Sequence, residues 1–240
     1  MSAATDAIHA RLQQLGNPDD ARFLQRFFRT GPGEYGEGDR FLGIRVPVLR
    51  SLVREHRGVA LDDAAQLLRS PWHEARLFAL LLLVDAYRRG TADARDAIYR
   101  LYLDHTAYVD NWDLVDTSAP YIVGAHLEAG DRRVLERLAR SASLWERRIA
   151  MLATQHFIRG GEFGTALRIA EMLVDDGHDL IHKAVGWMLR EVGNRDRAAE
   201  EAFLRRHHRT MPRTMLRYAI EKFPPELRQS YLRGEMAESA

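Results

Sequence analysis

Arg76-Leu77-Phe78-Ala79 opens the longest apolar run of the chain, residues 77–84, and its form returns four times. Trp112-Asp113-Leu114-Val115, Arg148-Ile149-Ala150-Met151, Lys183-Ala184-Val185-Gly186 and Arg217-Tyr218-Ala219-Ile220 follow at intervals of 36, 36, 35 and 34 residues. All five segments have helical periodicity. A period in the thirties with helical content means stacked helix pairs, because one helical hairpin cannot bury its apolar face alone. The expected fold is therefore all-α, a helical-repeat solenoid of about six pairs. Cations in the repeat register would line one concave, locally basic face. One repeat replaces the cation with Trp112 and carries Asp116 one turn later.

The chain has 240 residues, 46% of them hydrophobic and 29% charged, the composition of a soluble globular protein. No composition shift divides it, so one repeat domain over residues 1–233 is expected, followed by a frayed tail at 234–240. The absence of Cys excludes disulfides, thiolate metal sites and cysteine nucleophiles. The N-terminus shows no signal-peptide pattern and the run 77–84 is too short to span a bilayer, so a cytoplasmic protein with no membrane partner is expected. A formal charge of +1 conceals local structure. Lys183 and Lys222 are the only lysines, and the stretch 195–217 concentrates Arg205, Arg206, Arg209 and Arg213. An anionic partner must be met by such a patch rather than by bulk charge.

Asn17-Pro18 marks a helix start, with Phe23, Phe27 and Phe28 on its apolar stripe. Pro47 opens a helix containing Leu49, Leu52 and Val53. Further helices are predicted at 61–68, 72–87, 91–103, 110–127, 131–140, 143–158, 163–174, 179–192, 197–209, 212–223 and 225–232. The glycine-rich loop 30–39 contains Gly31, Gly33 and Gly36 at the spacing of a dinucleotide-binding turn. A helix precedes it, however, and Glu34, Glu37 and Asp39 would repel phosphates, so it reads as an inter-helix loop. His178 and His182 lack a third ligand, His207-His208 reads as surface, and no nucleophile elbow occurs, so neither a metal nor a cofactor is expected.

Chemistry concentrates in Asp110-Asn111-Trp112-Asp113-Leu114-Val115-Asp116. Asp110 reads as an N-cap and Asp113 as its capping-box partner. Asp116 lacks either explanation and shares the helix face of Trp112. Trp187, four residues after Lys183, occupies the position in its repeat that Asp116 occupies in its own. The alternative is that both Trp fill the core and Asp116 pairs with Arg148. Trp72 and Trp145 read as packing residues. A face with cations, Trp and a carboxylate suits a phosphate backbone, a cationic base and a sugar cation.

At these residues the chain resembles the AlkD-like DNA alkylation repair glycosylases, a family of HEAT-like repeat proteins, from about Phe23 to Tyr231. Phe41-Leu42-Gly43-Ile44-Arg45-Val46-Pro47 is similar to its FLGI-x-x-P entry, and Trp112–Asp116 to its W-D-x-V-D segment. Trp145-Glu146-Arg147-Arg148 is similar to its W-x-x-R, and Lys183–Glu191 to its K-A-I-G-W-x-L-R-E. The resemblance implies excision of positively charged N3- or N7-alkylated purines from double-stranded DNA. It implies that Asp116 is the catalytic carboxylate, that Trp112 and Trp187 contact the nucleotide, and that Arg148 contacts DNA near the lesion. It also implies a lesion held against the duplex without a deep base pocket. Arg45, Arg76, Lys183, Arg190, Arg213 and Arg217 are the expected DNA-binding cations of a monomer. Asn111 stands where better-known members carry an aromatic, and the 31–38 loop is longer than theirs. A non-catalytic binder of branched or distorted DNA is the alternative reading. A protein-interaction scaffold would leave the Trp pair and Asp116 unexplained.

Overall fold

Side-chain capping sets seven of the helix starts in the computed structural model, which describes residues 2–235. The side chains of Ser2, Asn17, Thr91, Asn111, Ser143, His178 and Asp196 each accept an N–H of the helix they precede. Regular structure among the described residues is entirely helical, with one isolated bridge between Arg40 and Trp72. The described residues gather into two compact units, divided between His126 and Leu127. The expected tail lies outside the described residues from position 236 onward.

The N-terminal unit contains α1 (Ala3–Leu15), α2 (Pro18–Phe27), α3 (Val46–Glu55), α4 (Leu61–Leu68), α5 (His73–Arg89), α6 (Ala92–Asp104) and α7 (Trp112–Ser118). Helix α5 is buried without a break from His73 to Val84 and packs against α3, α4, α6 and α7, which makes it the axis of this unit. That all-round burial is why its sequence reads as an apolar run rather than a stripe. Helix α1 has no counterpart in the expected elements. Only Thr5, Ile8 and Leu12 of it are buried, too few for a clear periodic signal. The helix predicted over 110–127 stops instead at Ser118 and passes through a π-turn at Pro120–Gly124. Pro120 has no N–H for the carbonyl four residues earlier, and the ladder shifts so that Gly124 N–H reaches Ala119 O at 2.9 Å.

The C-terminal unit contains α8 (Arg133–Ala139), α9 (Leu144–Ala153), α10 (Gln155–Arg159), α11 (Gly164–Met172), α12 (Asp179–Gly193), α13 (Arg197–His207), α14 (Arg213–Ala219) and α15 (Pro225–Arg233). The helix predicted over 143–158 divides at Thr154, whose Oγ1 bonds back to the Met151 carbonyl at 2.6 Å. Helix α12 packs chiefly against α14, at a distance only glycine permits. A Cβ on Gly186 would stand 2.4 Å from Met215 O and 2.5 Å from Tyr218 Cβ. Beside it, Glu200 of α13 is buried against Gly193 with no hydrogen bond to Oε1, and burial pushes its carboxyl up to about 8 against the pull of Arg197. His208 is also buried rather than exposed, its Nδ1 2.9 Å from Leu204 O.

Candidate functional site

Helix α7 begins one residue later than its acidic residues suggest. Asn111, fully buried, is the N-cap and accepts from Trp112 N–H at 2.8 Å. Asp110 and Asp113 are therefore not a capping pair. Asp110 lies 3.2 Å from the Arg76 guanidinium, and Asp113 turns one oxygen to the Leu114 N–H and the other to His73. Asp116 comes one turn after Trp112 and is half-buried. The Trp112 ring stacks on Phe28 at 5.1 Å and meets Phe27 edge-on at 6.0 Å. These rings, with Phe23, Phe41 and Ile44, line an apolar cleft of about 520 Å³.

Below the aromatic wall lies a buried ion network that sequence reading did not anticipate. His73, at the start of α5, is 2% exposed. Its Nδ1 is 2.8 Å from Asp39 and its Nε2 2.8 Å from Asp113. Both ring nitrogens face carboxylate oxygens, so both donate and the ring is an imidazolium. Burial alone would depress its pKa, but the charge and hydrogen bond of Asp113, then those of Asp39, outweigh it and hold it at about 9. The ring also stacks on Phe41 at 4.5 Å. Asp39 stays below the usual carboxylate range. Burial opposes its charge, but His73 and then Arg76 more than compensate.

Arg76 completes the network. Its guanidinium reaches Asp39 at 2.8 Å, Asp110 at 3.2 Å and the Ser70 carbonyl at 3.1 Å. At 5% exposure it is a constituent of the interior. That corrects its expected place among the surface cations: its register position points into the junction of α5, α7 and the 30–39 loop. Asn111 adds a bond from Nδ2 to Asp39 at 3.1 Å. Two cations, three carboxylates and an amide thus fix the N-terminus of α7. His73 and Asp39 carry no local signal of this role, because each is defined by partners more than 30 residues away.

The FLGI segment is held in a related way. Glu74 is 2% exposed and accepts the N–H groups of Leu42, Gly43 and Ile44 at 2.8, 2.7 and 3.1 Å. Gly43 has φ of 84°, and a Cβ there would fall 2.0 Å from Asn17 O. Only glycine fits. The glycine-rich loop offers no phosphate cradle, because Glu34 and Glu37 occupy the N–H groups of Gly31 and Gly33 at 3.0 and 2.9 Å. Its far end is tied down through buried Asp39.

The other expected site residues divide between the units. Arg45 is exposed in the N-terminal unit and pairs with Asp20 at 2.7 Å. In the C-terminal unit Arg148 is 5% exposed and its Nη1 donates to the Leu180 carbonyl at 2.6 Å, bracing the start of α12. Lys183 pairs with Asp179 at 2.7 Å, and half-buried Trp187 lies one turn further along α12 with Nε1 3.4 Å from Glu191. Arg190 pairs with Glu221. Arg213 and Arg217 are exposed on α14. Within the N-terminal unit, Trp112 and Asp116 are half-buried one turn apart on α7, an indole and a carboxylate whose pairing suits cationic character in a sugar or base. No helix among the described residues is long and apolar enough to cross a membrane.

The DNA alkylation repair enzyme family model matches residues 8–223 of the chain. Among solved structures, a predicted DNA alkylation repair enzyme from Enterococcus faecalis is similar in fold, with a TM-score of 0.67 at 15% identity. The match covers 88% of this chain and 97% of that one. No curated protein matches the chain.

Proposed function

The chain belongs to the DNA alkylation repair enzyme family, and from that membership we propose a monofunctional DNA glycosylase that releases N3- or N7-alkylated purines from duplex DNA. The observation that carries the proposal is Asp116, half-buried one turn from Trp112 on a helix whose start is locked by buried ions. The proposed protein is a cytoplasmic HEAT-like monomer that uses neither metal nor cofactor.

An alkylated purine of this kind is already cationic. Its N-glycosidic bond breaks with the electron pair moving onto the base, which leaves neutral, while C1′ of the deoxyribose becomes oxocarbenium-like. The Asp116 carboxylate stabilises that charge and orients a water. The water oxygen adds to C1′ and its proton passes to the carboxylate or to solvent, leaving an abasic site. Preorganised charge of this kind is worth most where water is partly excluded. Trp112 and Trp187 are proposed to contact the nucleotide, and Arg148 to act near the lesion while bracing α12. Arg45, Lys183, Arg190, Arg213 and Arg217 are proposed to bind phosphates. No strong general acid is required, because the leaving group departs neutral.

Replacing Asp116 by Asn tests the assignment. Excision of N7-methylguanine should fall by about 10²-fold or more, the scale of losing one group aimed at developing charge. Affinity for the same duplex should stay equal or rise. Unchanged excision would remove Asp116 from the mechanism.

A further inference from the structure

The N-terminal unit has a second cleft, of about 420 Å³, whose charge is as one-sided as that of the first is apolar. Arg50 and Arg54 lie four apart on α3, and Arg57 follows three residues later, just past the helix end. All three line the cleft together with Arg88 from the last turn of α5. The Arg88 guanidinium lies 4.8 Å from the centroid of the Tyr121 ring, which forms part of the same wall. Asp85 is the one carboxylate among the lining residues. It is shared between Arg57 at 3.2 Å and Arg89 at 2.8 Å. Arg50, Arg54 and Arg88 have no carboxylate partner among the described residues.

Guanidiniums converging on one concavity repel one another unless an anion joins them. The dipole at the end of α5 favours a cation and accounts for Arg88 and Arg89. It does not account for Arg50, which sits in the middle of α3. Arginine forks match the oxygens of a phosphodiester. The location of the cleft is equally telling. Thr117, the residue after Asp116, lines both this cleft and the aromatic one that contains Trp112. An anion in one and a planar group in the other would sit on either side of a single residue next to the proposed catalytic carboxylate.

We propose that Arg50, Arg54, Arg57 and Arg88 form a phosphate site that grips the DNA backbone beside the nucleotide on which Asp116 acts. This rests on the glycosylase reading and adds to it a binding site outside the repeat register. The test compares the wild type with Arg54→Gln/Arg88→Gln, Arg54→Lys/Arg88→Lys and Arg11→Gln, an exposed arginine of α1. Affinity for an alkylated duplex is measured across salt concentrations, with excision in parallel.

The Gln pair should bind roughly 10-fold more weakly at about 0.1 M salt, and the slope of log K against log salt should flatten by about 0.9 for each phosphate that is no longer neutralised. The Lys pair should keep most of the slope. Gln-pair behaviour equal to that of Arg11→Gln, with wild-type excision intact, would overturn the phosphate site and leave the enzyme reading standing. Thermal stabilisation of the wild type by millimolar inorganic phosphate, abolished in the Gln pair while DNA affinity is unchanged, would make this a small-anion site and also overturn the proposal. A wild type that neither binds nor processes DNA would instead overturn the functional reading beneath it.

Discussion

The helix that carries Trp112 and Asp116 is seven residues long, whereas the one that carries Lys183, Trp187 and Arg190 has fifteen. Helix α12 is positioned by apolar packing, its Gly186 admitting the backbone of α14 to close range. Helix α7 is too short to be stable alone and ends at a π-turn. Its start is fixed by His73 held between Asp39 and Asp113, and by Arg76 between Asp39 and Asp110. Side chains that share one repeat register are thus presented by different physical means. Packing tolerates few changes of volume, and an ion network few changes of charge.

The largest expected effect comes from breaking the network. His73→Ala would strand Asp39 and Asp113 as buried carboxylates short of a cation, at a cost of about 3–5 kcal/mol. Urea unfolding should show that loss, and a change below about 1 kcal/mol would mean the network does not hold α7. On the packing side, Gly186→Ala would force a Cβ against Met215 O and Tyr218 Cβ, destabilising by about 3 kcal/mol. A neutral result there would show that α12 and α14 can separate freely.

A subtler contrast lies in pH dependence. The His73 pKa is raised to about 9, so its contribution is complete below the unfolded value of 6.5 and disappears as pH rises through 9. The Glu200 pKa is raised from 4.5 to about 8, so its contribution is complete below 4.5 and is lost as pH rises through 8. Between about pH 5 and 6.5, only Glu200 of this pair should titrate the stability. Glu200→Gln should flatten the wild-type decline in that window while leaving the decline between about pH 7 and 9. An equally steep decline across the lower window in the variant would contradict the assignment to Glu200.

Much of this architecture was legible in the sequence. The apolar run 77–84 announced the buried axis α5, and the 61–68 and 179–192 helices fall almost where periodicity puts them. Helix α1 escaped because two buried aliphatic residues do not make a periodic stripe. The breaks at Pro120 and Thr154 interrupt continuous helical patterns through backbone hydrogen bonding, which side-chain periodicity does not record. Trp112, Asp116 and Trp187 were singled out as candidates by residue type and spacing alone. Arg76 had the right register but the wrong depth. His73, Asp39 and Glu74 were invisible because a buried ion is recognised only by its counter-ions or hydrogen-bond donors, and theirs come from distant stretches of chain. The arginines of the second cleft were hidden similarly, since α3 and the end of α5 converge only in three dimensions.

Whether Asp116 serves glycosidic cleavage is decided by single-turnover incubation of the wild type with a duplex containing one N7-methylguanine, scored for free base and for abasic sites. Release of the purine with an intact backbone is expected, together with loss of that release in Asp116→Asn. DNA binding without release of base by the wild type would contradict the glycosylase assignment and leave a protein that recognises distorted DNA without cutting the glycosidic bond.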